Sequence, residues 1–475
     1  MMGPEKKYDV LIVGNGVLGY AAAFCLMEKN KDLKIGIIGT PDKRGAASWA
    51  SGAMLASFAE IEKGSLDSEI EKYTFGLNRK AAALWPQWVA RINAYADERF
   101  KLTLNFGTYV LHNTRADEAD DENIAAIQEV LEQHREPYEI ADPSTIKGYS
   151  PATEGRSLKI LYIPNEGFIP SFKIRDAFEN IFAKNKAIEI IPSAAVKITV
   201  GGKEKEIITA ANAVYKAPVV ILAAGSKTQE LIDQIPEIKS RIPRQVYGVG
   251  TALILKQTSS GVTPEKVIRT ANRGLACGVH AVPYDQERCY IGASNFISPV
   301  PEYHPRITSL YALLQSAMEQ VHRLHYKSQV EQVLVGHRPT TVDTFPVIGE
   351  TSIKGLWLVS GTKRIGLHMS PFYGGYVAAK IMDGKDTFEN KFLPERKLFH
   401  TMTREQGIRK AVKHLKSAAY QHELHLPKAG WEDMVEEMLR KKVEKIYDDC
   451  GIKNYGIPPE LLDMYRYGHV KEAER

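Results

Sequence analysis

The chain has 475 residues, of which 44% are apolar and 25% charged, with 62 Lys and Arg against 57 Asp and Glu. That balance suits a soluble globular protein of about three domains and excludes a disordered, collagen-like or disulfide-scaffold chain. A net charge of +5 gives no footprint for nucleic acid, and no apolar run approaches the ~18 residues that span a membrane. The opening Met1-Met2-Gly3-Pro4 is not expected to be a secretory signal, because the apolar stretch that follows soon meets glycine. Cys25, Cys277, Cys289 and Cys450 make no CxxC pair, so no zinc site or redox dithiol is indicated, and a reduced, cytoplasmic setting is expected.

Residues 8–13 read as a buried strand of the parallel-sheet type. Gly14-Asn15-Gly16-Val17-Leu18-Gly19 follows at once, then a helix over 20–29 and a second apolar strand over 34–38. In a dinucleotide site of this order Gly14 permits the tight turn, Gly16 lets the backbone approach a pyrophosphate, and Gly19 lets helix and strand pack closely. The helix start then turns its N–H groups toward the phosphates. The plainer alternative is a glycine turn in a βα unit. An acid for the ribose should close the second strand about 20 residues on. That place reads Ile38-Gly39-Thr40, and the nearest acid is Asp42. Either Asp42 substitutes, or it is a solvated loop acid and backbone and water serve.

Further along, 102–111, 247–255, 275–282 and 289–293 alternate or run apolar and end in turn residues, as antiparallel strands do. Residues 117–135 and 308–326 read as helices beside them. A strand over 355–360 leads into a loop with Gly361 and Gly366 at its ends, then a helix over 370–382 in which Gly374 and Gly375 allow close packing. Past Pro394 strand signals stop. Ile408, Val412, Leu415 and Ala419, then Trp431, Val435, Met438, Leu439, Ile446 and Tyr447, recur at helical spacing; Gly451 is a stop, and Pro458-Pro459 open a short helix through Tyr467. Residues 396–416 carry seven basic residues against Glu405 alone, which could suit a membrane surface, although the acidic part that follows argues against a simple anchor. Packing on the body or on a second copy of the chain, covering the active site, and docking a membrane or a protein all stay open for this tail. There is no GxSxG elbow, HExxH or P-loop, and no metal site is expected.

The segment 45–56, GAASWASGAMLA, resembles the loop that wraps the flavin in glycine oxidases and related D-amino acid oxidase-type flavoproteins. Five later segments fit that family in order: the turn NEGFIP (165–170), the strand 187–196, VVILAAGS (219–226), GHRPTTVDTFPVIG (336–349) and GTKRIGLHMSP (361–371). The resemblance runs to about residue 390. It implies an α/β protein with a Rossmann-like FAD-binding domain made of 1–95, 150–230 and 335–392. An antiparallel-sheet substrate domain would comprise 96–149 and 231–334, and a helical extension, 395–475, lies outside the ordinary pattern.

The cofactor ligands it implies are Gly14, Gly16, Val17, Leu18, Gly19, Ser48, Ser51, Gly52, Met54, Val196, Ala224, Gly225, Arg364, Ile365, Gly366, Leu367 and His368. The helix after the closing motif would point its N-terminus at the flavin pyrimidine ring and favour the anionic reduced form. Family members with covalent flavin use a cysteine near the Arg338 segment. None lies between Cys289 and Cys450, so FAD is expected to be non-covalent.

Arg338 matches the arginine that grips the substrate carboxylate, a task suited to a planar, permanently charged fork; the alternative is a structural pair with Asp343. Arg364 matches a second position near the carboxylate, or is a surface-loop arginine. His280, His337 and Lys363 depart from the family pattern, as does His368. The first three are expected to rim one pocket more polar and cationic than a glycine site, unless they are structural. The resemblance implies FAD-dependent oxidation of an amino acid or related carboxylate-bearing amine by hydride transfer, giving an imine, with oxygen as acceptor. The alternatives are a dehydrogenase of a 2-hydroxy acid or amine that uses another acceptor, and a flavoprotein subunit of a larger complex. The expected partners are a small-molecule amine, no nucleic acid, and a second copy of the chain through the C-terminal helices.

Overall fold

In the computed structural model, residues 5–273, 278–421 and 430–470 are described. A six-stranded sheet runs in the order Val347–Glu350, Leu356–Ser360, Val219–Leu222, Val10–Val13, Ile35–Ile38 and Ile188–Ile191. All its pairs are parallel except the first. Its inner strands (VLIV, IGII, VVIL) are apolar throughout because both faces are covered. Helices Val17–Lys29, Ser171–Lys184 and Ser370–Asp383 pack on one face. A four-stranded sheet of Glu5–Lys7, Val214–Ala217, Lys205–Thr209 and Ala195–Thr199 shares the core on the other. The single strand expected over 187–196 is therefore two, Ile188–Ile191 and Ala195–Thr199, in different sheets; Pro192 stands at the break.

Helix Glu69–Tyr95 has no counterpart among the sequence expectations, although Leu77, Ala81, Trp85, Trp88 and Ile92 recur at its period; Pro86 interrupts the pattern. A capping box between Ser68 and Glu71 starts it. Trp88 meets Phe24 edge-on at 5.3 Å, and Phe178 packs on Phe24, Tyr20, Trp88 and Phe182.

The large second sheet runs in the order Gly45–Ala46, Gln329–Thr341, Gln245–Lys256, Arg288–Gly292, His280–Pro283, Val267–Thr270, Asn105–Asn113, Ser157–Phe168 and Met54–Leu55. It is antiparallel apart from two parallel pairings. Strands 157–168, 267–270 and 329–341 go beyond the sequence expectations; the expected turn over 165–170 begins as the end of a twelve-residue strand. Of the strand expected over 275–282, residues 275–277 lie outside the described residues. The helix expected over 308–326 is three pieces: Ile307–Ser316, a wider turn Ala317–Val321, and a tight one, Arg323–Lys327. The wide turn brings Gln320 to the buried Arg273, which also donates to Asp120 and Asn113. A buried guanidinium needs such partners, and they override simple helical continuation.

The C-terminal extension forms helices Arg404–Gln421, Trp431–Cys450 and Leu462–Arg466, with Gly451 in the left-handed region (φ 71°) ending the second. Its apolar faces pack on the body: Ile408, Val412, Val443, Tyr447 and Leu461 share one core with Val246 of the large sheet and Val342, one residue past the strand Gln329–Thr341. No described helix is long and apolar enough to cross a membrane. Phe178 is wholly buried among aromatic rings, so Phe178→Ala should cost ~3–5 kcal/mol of stability, read as a lowered urea midpoint with an unchanged slope.

Candidate active site

The two large sheets enclose a cavity of about 470 Å³. The glycine loop after Val10–Val13 forms its floor, with residues 43–54, 223–227, 336–339 and 359–368 around it. Gly14, Gly16, Val17, Leu18, Ser48, Ser51, Gly52, Met54, Val196, Ala224, Gly225, Arg364, Ile365, Gly366, Leu367 and His368 all line it. Gly19 lies one layer behind, where a Cβ would stand 2.0 Å from the Gly14 carbonyl oxygen.

These residues fit a dinucleotide. Gly14 has φ +126°, and a Cβ there would fall 2.1 Å from the Ala223 carbonyl oxygen, so glycine alone permits the turn. The helix that begins at Val17 has no side-chain cap in its own first turn. The Val17 N–H is engaged by Ser48 Oγ at 3.2 Å, and the uncapped helix start beside it suits a phosphate. The missing ribose acid also has a cause. A Cβ at Gly39 would stand 2.2 Å from the Asn15 side chain, which donates to the Thr40 carbonyl at 2.9 Å. Asp42 lines the cavity but accepts from Arg44 N at 3.0 Å and Arg44 Nε at 2.7 Å, as a loop acid engaged within its own turn.

At the other end of the cavity, strands Gln245–Lys256 and Gln329–Thr341 pair so that Gly248 lies opposite Arg338 and Gly250 opposite Gly336. The Arg338 side chain crosses Gly250, where a Cβ would stand 2.4 Å from Nη2. Nη1 donates to Asn295 Oδ1 at 2.9 Å, and both terminal nitrogens donate to the Ser294 carbonyl at 3.2–3.3 Å. Asp343, the alternative partner, pairs instead with Arg396 of the extension. Among the described residues no carboxylate is in ion-pair range of Arg338, whereas the neighbouring cations are all answered. Arg364 Nη2 lies 3.5 Å from Glu62 and its Nη1 3.9 Å from Glu60, Arg269 pairs with Glu60, and Lys363 pairs with Glu460. Burial raises the Glu60 carboxyl pKa, but Arg269 and Arg364 outweigh it and hold it at about 2.

His280, His337 and Lys363 all line this cavity, each in different surroundings. His280 is buried against Tyr290, its Nδ1 has no hydrogen bond among the described residues, and burial together with Arg269 pushes its pKa down to about 3, so it is neutral. His337 follows Gly336 and precedes Arg338, so strand alternation turns it to the opposite face. It lines the cavity beside Gly45, its Nε2–H donates to the Glu302 carbonyl at 2.6 Å, and Tyr247 and Tyr303 flank it edge-on. Lys363 is neutralised by Glu460. His368 Nε2–H donates to the Asn78 carbonyl at 2.8 Å, which ties the closing loop to helix Glu69–Tyr95. The wall is therefore polar but largely charge-paired. Sequence reasoning missed Glu60, Asn295 and Glu460. Gly250, isolated inside an apolar strand, was a legible sign of close approach.

A family model for FAD-dependent oxidoreductases matches residues 9–380, and the chain belongs to that family. FAD is its cofactor. A bifunctional ThiO/ThiG protein of Synechocystis sp. is 25% identical over 411 residues, which cover 84% of this chain; the chain spans 55% of that relative's length. Glycine oxidase from Geobacillus kaustophilus has a similar fold (TM-score 0.70, 20% identity, 83% of this chain and 100% of that one). So has iminodiacetate oxidase from a Chelativorans species (TM-score 0.66, 17% identity, 81% and 98%).

Gly14→Ala should leave a folded but colourless protein, because the new methyl displaces the loop beneath the phosphates. Absorbance near 450 nm per polypeptide, at about one tenth of wild type or less, would confirm it; retention of full flavin content would show that the loop tolerates the shift.

Proposed function

We propose that the protein oxidises a carboxylate-bearing amine larger than glycine, with non-covalent FAD as hydride acceptor and oxygen as the final one. One observation carries the reading: Arg338 is a cation in the cavity wall, without a carboxylate partner among the described residues, held by neutral acceptors. A substrate carboxylate completes it, and a bidentate guanidinium contact fixes rotation as well as position. Bound FAD supplies the two-electron acceptor chemistry.

The protein side contributes orientation more than acid–base work. Glu60, held at about 2, and His280, at about 3, are both too weak as bases to take a proton from an ammonium near neutral pH. The amine must arrive unprotonated, and Arg338 then presents its α-hydrogen; positioning of this kind can supply much of a barrier reduction. Loss of hydride leaves the imine, which water hydrolyses.

The polar wall supports a larger substrate: His280, His337 and Lys363 all line the cavity with Arg338. Glycine has no side chain to engage such a wall, whereas a longer side chain with a hydrogen-bonding end would; sites that bond such a group discriminate strongly against analogues lacking it. The names of the structural relatives, a glycine oxidase and an iminodiacetate oxidase, agree with amine oxidation.

Acid precipitation should release all the yellow pigment. In an oxygen electrode, hydroxylated or acidic amino acids should give a higher kcat/KM than glycine or sarcosine. Anaerobic bleaching of the flavin by an amine without oxygen uptake in air would point to a different acceptor, and bleaching by 2-hydroxy acids alone would overturn the amine reading. Arg338→Leu should keep the flavin spectrum and lose about 3 kcal/mol of transition-state binding, roughly a hundredfold in kcat/KM; undiminished kcat/KM would remove Arg338 from the site.

A further inference from the structure

The extension beyond residue 395 places a carboxylate beside the catalytic cavity. Glu460 stands in the tight turn Pro459–Leu461, whose surroundings are firmly anchored. Leu461 is wholly buried, Met464 and Tyr465 join the core shared with Val246 and Val342, and the Ile457 N–H donates to the Tyr447 hydroxyl at 2.7 Å. One Glu460 oxygen accepts from Lys363, and the other accepts from Asn295 Nδ2 at 3.4 Å. Asn295 Oδ1 in turn accepts from Arg338 Nη1 at 2.9 Å. Burial raises the Glu460 pKa, but Lys363 and Arg364 outweigh it and leave the group an anion. On the loop side, the Lys363 N–H donates to the Pro339 carbonyl at 2.9 Å, one residue from Arg338, with Lys363 itself in the left-handed region (φ 47°).

A guanidinium can present either its end, Nη1 with Nη2, or its side, Nε with Nη2, to a carboxylate. Ser294 accepts from the end and Asn295 takes the second Nη1 hydrogen. The side-on pair is left for a ligand. An amide can rotate to offer either atom; Arg338, which has only donors, favours the Asn295 oxygen, and the Glu460 anion reinforces that orientation by accepting from Nδ2 at 3.4 Å.

We propose that Glu460 is a positioning residue for Arg338, acting through Asn295 to hold the guanidinium side-on to the substrate carboxylate and through Lys363 to hold the loop that carries Arg364. The extension is then part of the active site as well as a packing element. The inference rests on the reading of Arg338 as the carboxylate binder.

The test is the dissociation constant of acetate for the purified holoenzyme, read from the change in flavin absorbance, with acetamide as an uncharged control. Glu460→Gln and Asn295→Ala should each weaken acetate about tenfold, leave acetamide unchanged and keep full FAD content, and neither should matter further in an Arg338→Leu background. Acetate affinity within twofold of wild type in both variants, or equal losses for acetate and acetamide, overturns the inference while a loss in Arg338→Leu keeps the clamp itself. Unchanged acetate affinity in Arg338→Leu overturns the clamp and the inference with it. If Glu460→Gln fails to hold FAD, Asn295→Ala, which leaves the Lys363–Glu460 pair in place, decides the outcome.

Discussion

The close crossing of Arg338 over Gly250 is the contact around which the substrate end is arranged. A Cβ at residue 250 would occupy the guanidinium's place, so the position of the fork depends on an absent side chain in one strand and on the register that brings Gly248 opposite Arg338. The strand pair that sets this register also supplies Val246, which with Val342, one residue past Thr341, packs on the C-terminal helices. The same two strands thus set the arginine and seat the extension.

Charge pairing around the cavity follows a consistent pattern. Glu60, Glu62 and Glu460 answer Arg269, Arg364 and Lys363, each pairing reducing the cost of taking a charge out of water. Arg338 alone of these four cations is met by neutral oxygens, Ser294 and Asn295. Around Arg338 the expected excess of positive charge is therefore met by paired neighbours that leave this cation available, a sharper recognition element than a generally cationic pocket because it fixes where an anion goes as well as whether one binds.

At the cofactor end the constraints are steric. Gly14 against Ala223 and Gly19 against Gly14 are backbone contacts too close for any Cβ, and a Cβ at Gly39 would run into the Asn15 side chain. The last of these accounts for the absent ribose acid: Asn15 fills the space, and its amide holds the Thr40 carbonyl. Asp42 has its own partner in Arg44.

The sequence by itself determined the nucleotide-binding unit, because those contacts are local: a strand, a glycine turn and a helix within some thirty residues; the flavin class came from a family resemblance carried by segments spread from 45 to 371. It also determined the helical character of the tail, whose apolar residues keep a helical period. Tertiary structure alone decided three things. It decided which way neighbouring polar residues point, since His337 and Arg338 are adjacent in sequence and opposite in direction. It decided charge, since Lys363 is paired by Glu460, 97 residues away. It decided where the tail goes, since an amphipathic helix records that it has a buried face without recording what buries it. Local backbone geometry is written in neighbouring residues; pairing across a sheet or between a tail and a loop depends on which surfaces meet, and no short stretch of chain contains that information.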